Sequence, residues 1–195
     1  HRGRLNIRPI QSWIRERWVQ RSGRWSDILK VDSKLVSFLG WWARREILAG
    51  VPLVSPEPSI SMCTDASKTG WGAHVEVEMA SGVWPPELRE AHINELELRA
   101  VLLALQQFRH LLSHRCVRLY CDNSTVVAYI RKEGGTRSDS LTMVTSQLIR
   151  WCDAHSVVLL PVHLPGARNV RADALSRRGM ALPGEWELQP LVLQL

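Results

Sequence analysis

Met62-Cys63-Thr64-Asp65 and Leu119-Tyr120-Cys121-Asp122 are two apolar runs, each closed by an aspartate. Short runs of this kind read as buried strands. If the two strands are parallel neighbours, Asp65 and Asp122 meet at one edge of a sheet. Two carboxylates there repel, and one takes up a proton unless a cation intervenes. A divalent ion that prefers oxygen ligands, such as Mg²⁺, removes the conflict. The competing reading is that each Asp caps the turn or helix that follows it. For one strand alone that reading is the simpler. Both strands together shift the balance towards a metal site.

Outward from these strands the pattern continues. Ser59 to Asp65 forms a first strand, Lys68-Thr69-Gly70 a turn, and Trp71 to Met79 a second strand pairing back as a hairpin. Ser81-Gly82 turns the chain into a short third strand through Trp84, which Pro85-Pro86 stops. Asn94 to about Leu112 is a helix, with Leu98, Val101, Leu102, Leu105 and Leu112 on one stripe. Val117 to Cys121 is a fourth strand. Ser124 to Arg131 is a helix stopped by Gly134-Gly135, and Ser140 to Ala154 is another. Val157 to Leu164 is a fifth strand, and Val170 to Arg178 a last helix. Hairpin succession predicts antiparallel pairing for the first three strands. The later strand–helix alternation demands parallel pairing with crossover helices. The expected class is α/β, a mixed five-stranded sheet with helices on both faces.

Two more carboxylates can reach the same edge. Glu97 lies one turn into the long helix, where Asn94 and Glu97 also fit a capping box. Glu95 is a rival ligand that more simply serves the helix dipole. Asp173 falls in the first turn of the last helix, a position the macrodipole favours in any case. His163, before Leu164-Pro165-Gly166, reads either as a surface histidine or as a proton carrier. Four carboxylates from four elements make a two-metal phosphodiesterase site plausible. The residues do not identify the nucleic acid.

The front of the chain has a different character. Residues 1–50 hold 11 Lys+Arg against 4 Asp+Glu, a net of +7, whereas the remaining 145 hold 14 against 15, a net of −1. Trp13, Trp18, Trp25, Trp41 and Trp42 are interleaved with these arginines. A basic, aromatic segment suits a polyanion, although a solvated surface explains it equally well. Residues 31–49 read as an amphipathic helix using Leu35, Leu39, Trp42 and Ile47, ended by Gly50. Val51 to Pro58 is a proline-rich connector. No apolar run reaches the roughly 18 residues of a membrane span, and no signal peptide is evident. Cys63, Cys116, Cys121 and Cys152 form no C-x-x-C pair, which argues against structural zinc and for a reducing compartment. The expected location is intracellular, cytoplasmic or nuclear. His1 in place of Met fits a processed piece.

Thr64-Asp65-Ala66-Ser67 with Gly70-Trp71-Gly72, His92 through Glu97 to Ala100, Asp122-Asn123-Ser124, and His163-Leu164-Pro165-Gly166 through Asn169 to Ala172-Asp173-Ala174-Leu175-Ser176-Arg177 occur in order. Together they resemble the ribonuclease H domain of retroelement reverse transcriptases, over about residues 58–178. Trp41-Trp42, Gly50 to Leu53 and Gly184 to Leu188 look DIRS-like, and gypsy-type elements are also similar. The resemblance implies an endoribonuclease that cuts the RNA strand of RNA–DNA hybrids using two Mg²⁺ or Mn²⁺ ions. It puts the metal carboxylates on Asp65, Glu97, Asp122 and Asp173, and the family's mobile histidine on His163. Asn169 matches a position that helps hold substrate or catalytic groups. Hybrid selectivity needs contacts to 2′-hydroxyls, for which Ser67, Asn94 and Asn123 are the candidates. By the same resemblance, residues 1–57 correspond to the end of the polymerase thumb or connection region, 58–179 to the ribonuclease H-like domain, and 180–195 to a tail or linker. The basic protrusion of bacterial enzymes is reduced to Arg131 through Arg137, and the front segment is placed to compensate by gripping phosphates and stacking on sugars or bases. The expected partners are the hybrid and the polymerase part of the same polyprotein, with no membrane and with oligomeric state open. The alternatives are a catalytically silent or domesticated nucleic-acid-binding or assembly module of the same fold, and a DNA nuclease or integrase.

Overall fold

The computed structural model describes residues 2–20, 28–44, 54 and 56–178. Strands β1 (Ile60–Ala66), β2 (Gly70–Val75) and β3 (Glu78–Val83) form an antiparallel meander. β4 (Cys116–Cys121) lies parallel to β1, and β5 (Val158–His163) parallel to β4, giving the order β3-β2-β1-β4-β5. Met62 pairs with Leu119 and Cys63 with Tyr120. Carried two residues further, that register sets Asp65 beside Asp122. The mixed sheet is as expected.

Alternation along the strands sorts the two faces. Met62, Ala73, Val75, Val117 and Leu119 point into the main core. There they meet Leu98, Val101 and Leu105 of α3 (Ile93–Gln107), Val126 and Ile130 of α5 (Ser124–Arg131), and Val144 and Leu148 of α6 (Asp139–Ala154). Gly72 points to the opposite face, under α7 (Val170–Arg178). A Cβ on Gly72 would lie 2.4 Å from Leu175 Cβ and 2.6 Å from the Ala172 carbonyl oxygen, so glycine is what lets α7 rest directly on β2. Edge strand β5 is protected: the Arg131 guanidinium donates to the Pro161 carbonyl at 2.9 and 3.1 Å.

Several boundaries differ from the sequence expectation. The second hairpin turns at Glu76-Val77, not at Ser81-Gly82. Glu76 takes φ 52°, a left-handed conformation more usual for Gly or Asn, so the turn carried no composition signal. Gly82 instead sits inside β3, where a Cβ would press to 2.6 Å from the Trp71 indole nitrogen. The long helix is two helices. Buried Phe108 leaves helical geometry at ψ 22°, and α4 (Arg109–Leu112) follows. Of the helix expected over 31–49, the described residues are helical from Ser33 to Leu39 (α2), Gly40 to Ala43 form turns, and residues 45–49 lie outside the described residues. None of its residues is buried, so Leu35, Leu39 and Trp42 are not a core-facing stripe. Trp25, Ile47, Gly50, Val51 to Leu53 and the 180–195 tail lie outside the described residues.

Helix α1 (Gly3–Gln20) docks on the sheet domain. Leu5 joins the main core. Arg2 bridges Glu133 at 2.9 Å and Asp153 at 2.5 Å. Glu133 also accepts from the Leu5 amide at 3.2 Å, and Arg8 donates to the Lys132 carbonyl at 3.0 Å. Arg15 pairs with Asp139, and Arg17 with Asp32. Trp13 is 2% exposed and donates its indole N–H to Asp32 at 3.0 Å. Trp13, buried in this way, is therefore not open for the base stacking expected of the front segment, and Arg2 and Arg17 are ion-paired within the fold. Among the described residues, no helix is long and apolar enough to cross a membrane.

Replacing Glu133 with Ala removes the acceptor of the Leu5 amide and one of the two carboxylates that hold Arg2. The expected cost is about 1–3 kcal/mol, read as a lower unfolding midpoint in a thermal melt. An unchanged midpoint would show that the docking of α1 adds nothing to stability.

Candidate metal centre at the sheet edge

Each carboxylate arrives on a different element. Asp65 ends β1 and is 4% exposed. Asp122 follows β4, and Asp173 lies in the first turn of α7. Glu97 lies one turn into α3 and is also 4% exposed. The helix start differs from the expected capping box. His92 is the cap, its Nδ1 accepting from the Asn94 amide at 3.2 Å. Glu97 is thus free of any capping duty. Glu95, the rival ligand, is held by Arg99 at 2.7 and 2.9 Å.

Ligand atoms of Glu97, Cys121 and Asp122 lie within 4.8 Å of one another. Asp65 and Asp173 stand outside that tight cluster but within its field. Burial pushes the Glu97 carboxyl up to about 9, and the charges of Asp65 and Asp122 push the same way against a hydrogen bond from the Ala66 amide. Burial also pushes Asp65 up to about 6. The Ser176 hydroxyl opposes that rise, Asp122 and Asp173 add to it, and Arg177 opposes it. Arg177 brings positive charge to this edge, its Nε donating to Asp173 Oδ1 at 2.8 Å.

These donors fit a hard divalent cation. They are carboxylate oxygens, and among the described residues two of the carboxylates, Asp65 and Glu97, are buried with no direct ion-pair partner. Cys121 brings a soft sulfur donor to the same cluster, which a hard cation does not prefer. Burial keeps its thiol protonated, and its sulfur accepts from the Asn123 amide at 3.3 Å.

The other candidate residues divide. His163 sits at the end of β5, exposed, its Nε2 3.0 Å from the Asp122 carbonyl oxygen. Asn123 caps α5, its Oδ1 accepting from the Thr125 and Val126 amides, and its Nδ2 donates to Asn94 Oδ1 at 2.8 Å. These two asparagines form a polar pair next to Glu97 and Asp122. Asn169 is 2% exposed and donates to the Thr64 carbonyl at 3.0 Å, so it holds β1 and does not face solvent. The Ser67 hydroxyl is taken up by Thr69 and by the Ser176 carbonyl at 2.7 Å.

Two residues at the site had been given no role from sequence. Arg177 follows Asp173 at the i, i+4 helix spacing and could have been found on that ground. Ser176 reaches Asp65 across the sheet at 2.5 Å, and no sequence signal foretold it.

Residues 55–154 match the family model described as the RNase H-like domain found in reverse transcriptase. The chain belongs to this family. The matched stretch of this RNase H-like domain includes Asp65, Glu97 and Asp122 and ends before His163 and Asp173. RNase H1 from the archaeon Halobacterium salinarum NRC-1 is similar in structure, with 19% identity and a TM-score of 0.51 over 62% of this chain and 96% of that one. LC11-RNase H1, solved in complex with an RNA/DNA hybrid, gives 20% identity and a TM-score of 0.53 over 60% and 93%. A foamy viral protease-reverse transcriptase, also solved with an RNA/DNA hybrid, aligns with 84% of this chain but 28% of its own, at 13% identity and a TM-score of 0.46. The two RNase H1 likenesses establish the ribonuclease H fold. No curated protein matches.

The raised carboxyls predict the pH dependence of the metal-free protein. An unfolded chain releases these protons near pH 4. The folded chain holds the Asp65 proton to about 6 and the Glu97 proton to about 9. The folded state therefore binds more protons between these limits, and stability falls as pH rises through them. In EDTA the melting midpoint should be lower at pH 9 than at pH 5.5. Glu97→Gln should flatten that slope. A midpoint that rises with pH in wild type would contradict the electrostatics described.

Proposed function

We propose that this chain is a metal-dependent endoribonuclease that cuts the RNA strand of RNA–DNA hybrids as part of a retroelement reverse transcriptase. The carrying observation is the cluster of Glu97 and Asp122 at one sheet edge, within the field of Asp65, which in turn feels Asp173, with Glu97 buried and without an ion-pair partner among the described residues. Family membership and the likeness to hybrid-bound LC11-RNase H1 support the choice of substrate.

The four carboxylates would hold two Mg²⁺ or Mn²⁺ ions. Such ions supply an activated water and stabilise the leaving oxygen. The chain's own residues do the rest. Asp65 and Glu97 are preset by strand and helix, so their positions cost little to organise. His163, exposed beside Asp122, can accept or donate a proton at the same edge. The Asn94–Asn123 pair offers amide donors and acceptors to sugar hydroxyls. Gly166 passes so close that a Cβ there would lie 3.0 Å from Asp122 Oδ2, which keeps the approach to that carboxylate narrow. Residues 1–57 belong, on this reading, to the end of a polymerase thumb or connection region, and 180–195 to a linker. The DIRS-like motifs favour that element type, acting inside the cell in cytoplasm or nucleus.

The test is cleavage of a labelled RNA–DNA hybrid with Mg²⁺ or Mn²⁺, beside single-stranded RNA, duplex DNA and an EDTA control. Metal-dependent cutting confined to the RNA strand of the hybrid is expected. Binding without cutting would favour a catalytically silent module, and cutting of duplex DNA a DNA nuclease. Asp122→Asn should lower the cleavage rate by at least about 100-fold, as loss of an electrostatic stabiliser does, with the fold intact by circular dichroism. A mutant as active as wild type would remove Asp122 from the site.

A further inference from the structure

Ser176 stands at a junction that the proposed chemistry does not use. It is 2% exposed. Its hydroxyl oxygen lies 2.5 Å from Asp65 Oδ2 and 2.9 Å from the main-chain oxygen of Asp173. A hydroxyl has one hydrogen to donate. An ionised carboxylate is a stronger acceptor than a peptide carbonyl, so that hydrogen belongs to Asp65. Among the described residues, no other side chain donates to Asp65. The bond fixes the rotation of the carboxyl group by holding Oδ2 on Ser176.

The backbone around Ser176 makes this contact possible. Asp65 pairs with Gly72 across the β1–β2 ladder. A Cβ on Gly72 would lie 2.6 Å from the Ser176 amide nitrogen, so any larger residue would lift α7 away from Asp65. The Ser67 hydroxyl donates to the Ser176 carbonyl at 2.7 Å, and Asn169 donates to the Thr64 carbonyl at 3.0 Å. Three polar ties thus join the loop and helix around α7 to the few residues at the end of β1. The middle tie ends on a carboxylate. Helix α7 therefore delivers Asp173 directly and governs Asp65 through Ser176.

We propose that Ser176 is a positioning residue for the divalent-ion site, orienting Asp65 by a buried hydrogen bond so that one carboxylate oxygen faces the ion. The inference rests on the reading of the four carboxylates as a metal site. Water cannot take over the role, because the position is closed to solvent. Partners of this kind, which orient a ligand without touching the metal, typically change affinity or activity by about 10–100-fold when removed.

The experiment measures Mn²⁺ binding to the full chain from the electron paramagnetic resonance signal of free Mn²⁺, for wild type, Ser176→Ala and Arg171→Ala. Arg171 ties α7 to the Glu76 carbonyl at 3.2 Å without touching a carboxylate, so it reports loosening of the helix alone. Ser176→Ala should weaken Mn²⁺ binding by about tenfold or more while keeping a cooperative melt in EDTA. Hybrid cleavage by that variant should need correspondingly more Mn²⁺, recover when Mn²⁺ saturates, and keep the wild-type KM for hybrid. Arg171→Ala should bind Mn²⁺ as wild type does. Wild-type affinity in Ser176→Ala would overturn the proposal, as would an equal loss in Arg171→Ala. Wild type that binds no Mn²⁺ would overturn the metal site and this inference with it. Failure of the inference alone is therefore distinct from failure of the site.

Discussion

Glu97 cannot carry its charge at neutral pH, buried beside Asp65 and Asp122, unless positive charge is brought to it. Much of the architecture serves to impose that condition. The parallel pairing of β1 with β4 sets two aspartates side by side. The start of α3 adds a third carboxylate from the core side, tied to β1 by the Ala66 amide. Helix α7, pressed onto Gly72, adds a fourth together with Arg177. A fold that gathers like charges at the rim of its core gives up stability there unless a cation restores it. Local destabilisation of this kind marks a functional site more often than a structural one.

The rest of the charge distribution is quieter than the composition suggested. The front fifty residues are strongly basic, yet Arg2, Arg15 and Arg17 are paired with Glu133, Asp153, Asp139 and Asp32. Three of those acids, Glu133, Asp139 and Asp153, belong to the sheet domain. Docking of α1 therefore uses cations that would otherwise be free for nucleic acid. The two halves are joined by polar contacts and by Leu5 in the core.

The sheet was legible because alternation and apolar runs report burial directly, and hairpin succession leaves few topologies. Asp65 and Asp122 were legible because both strands end alike. Elsewhere local signals misled. Glu76 turns the chain without a turn residue, whereas Gly82 looked like a turn and makes room for Trp71. Phe108 breaks a helix whose apolar stripe runs on past it. His92 took the cap that Asn94 was expected to provide. Ser176 and Asn169 act on residues more than a hundred positions away, and no local pattern encodes such contacts.

The central claim is that the four carboxylates form one divalent-ion site. Its most direct test is a crystal of the protein soaked in Mn²⁺ and measured at a wavelength where manganese scatters anomalously. The account predicts anomalous peaks bounded by Asp65, Glu97, Asp122 and Asp173, with no peak at the Cys121 sulfur. Peaks confined to other surface carboxylates, or none at this edge at saturating Mn²⁺, would contradict it.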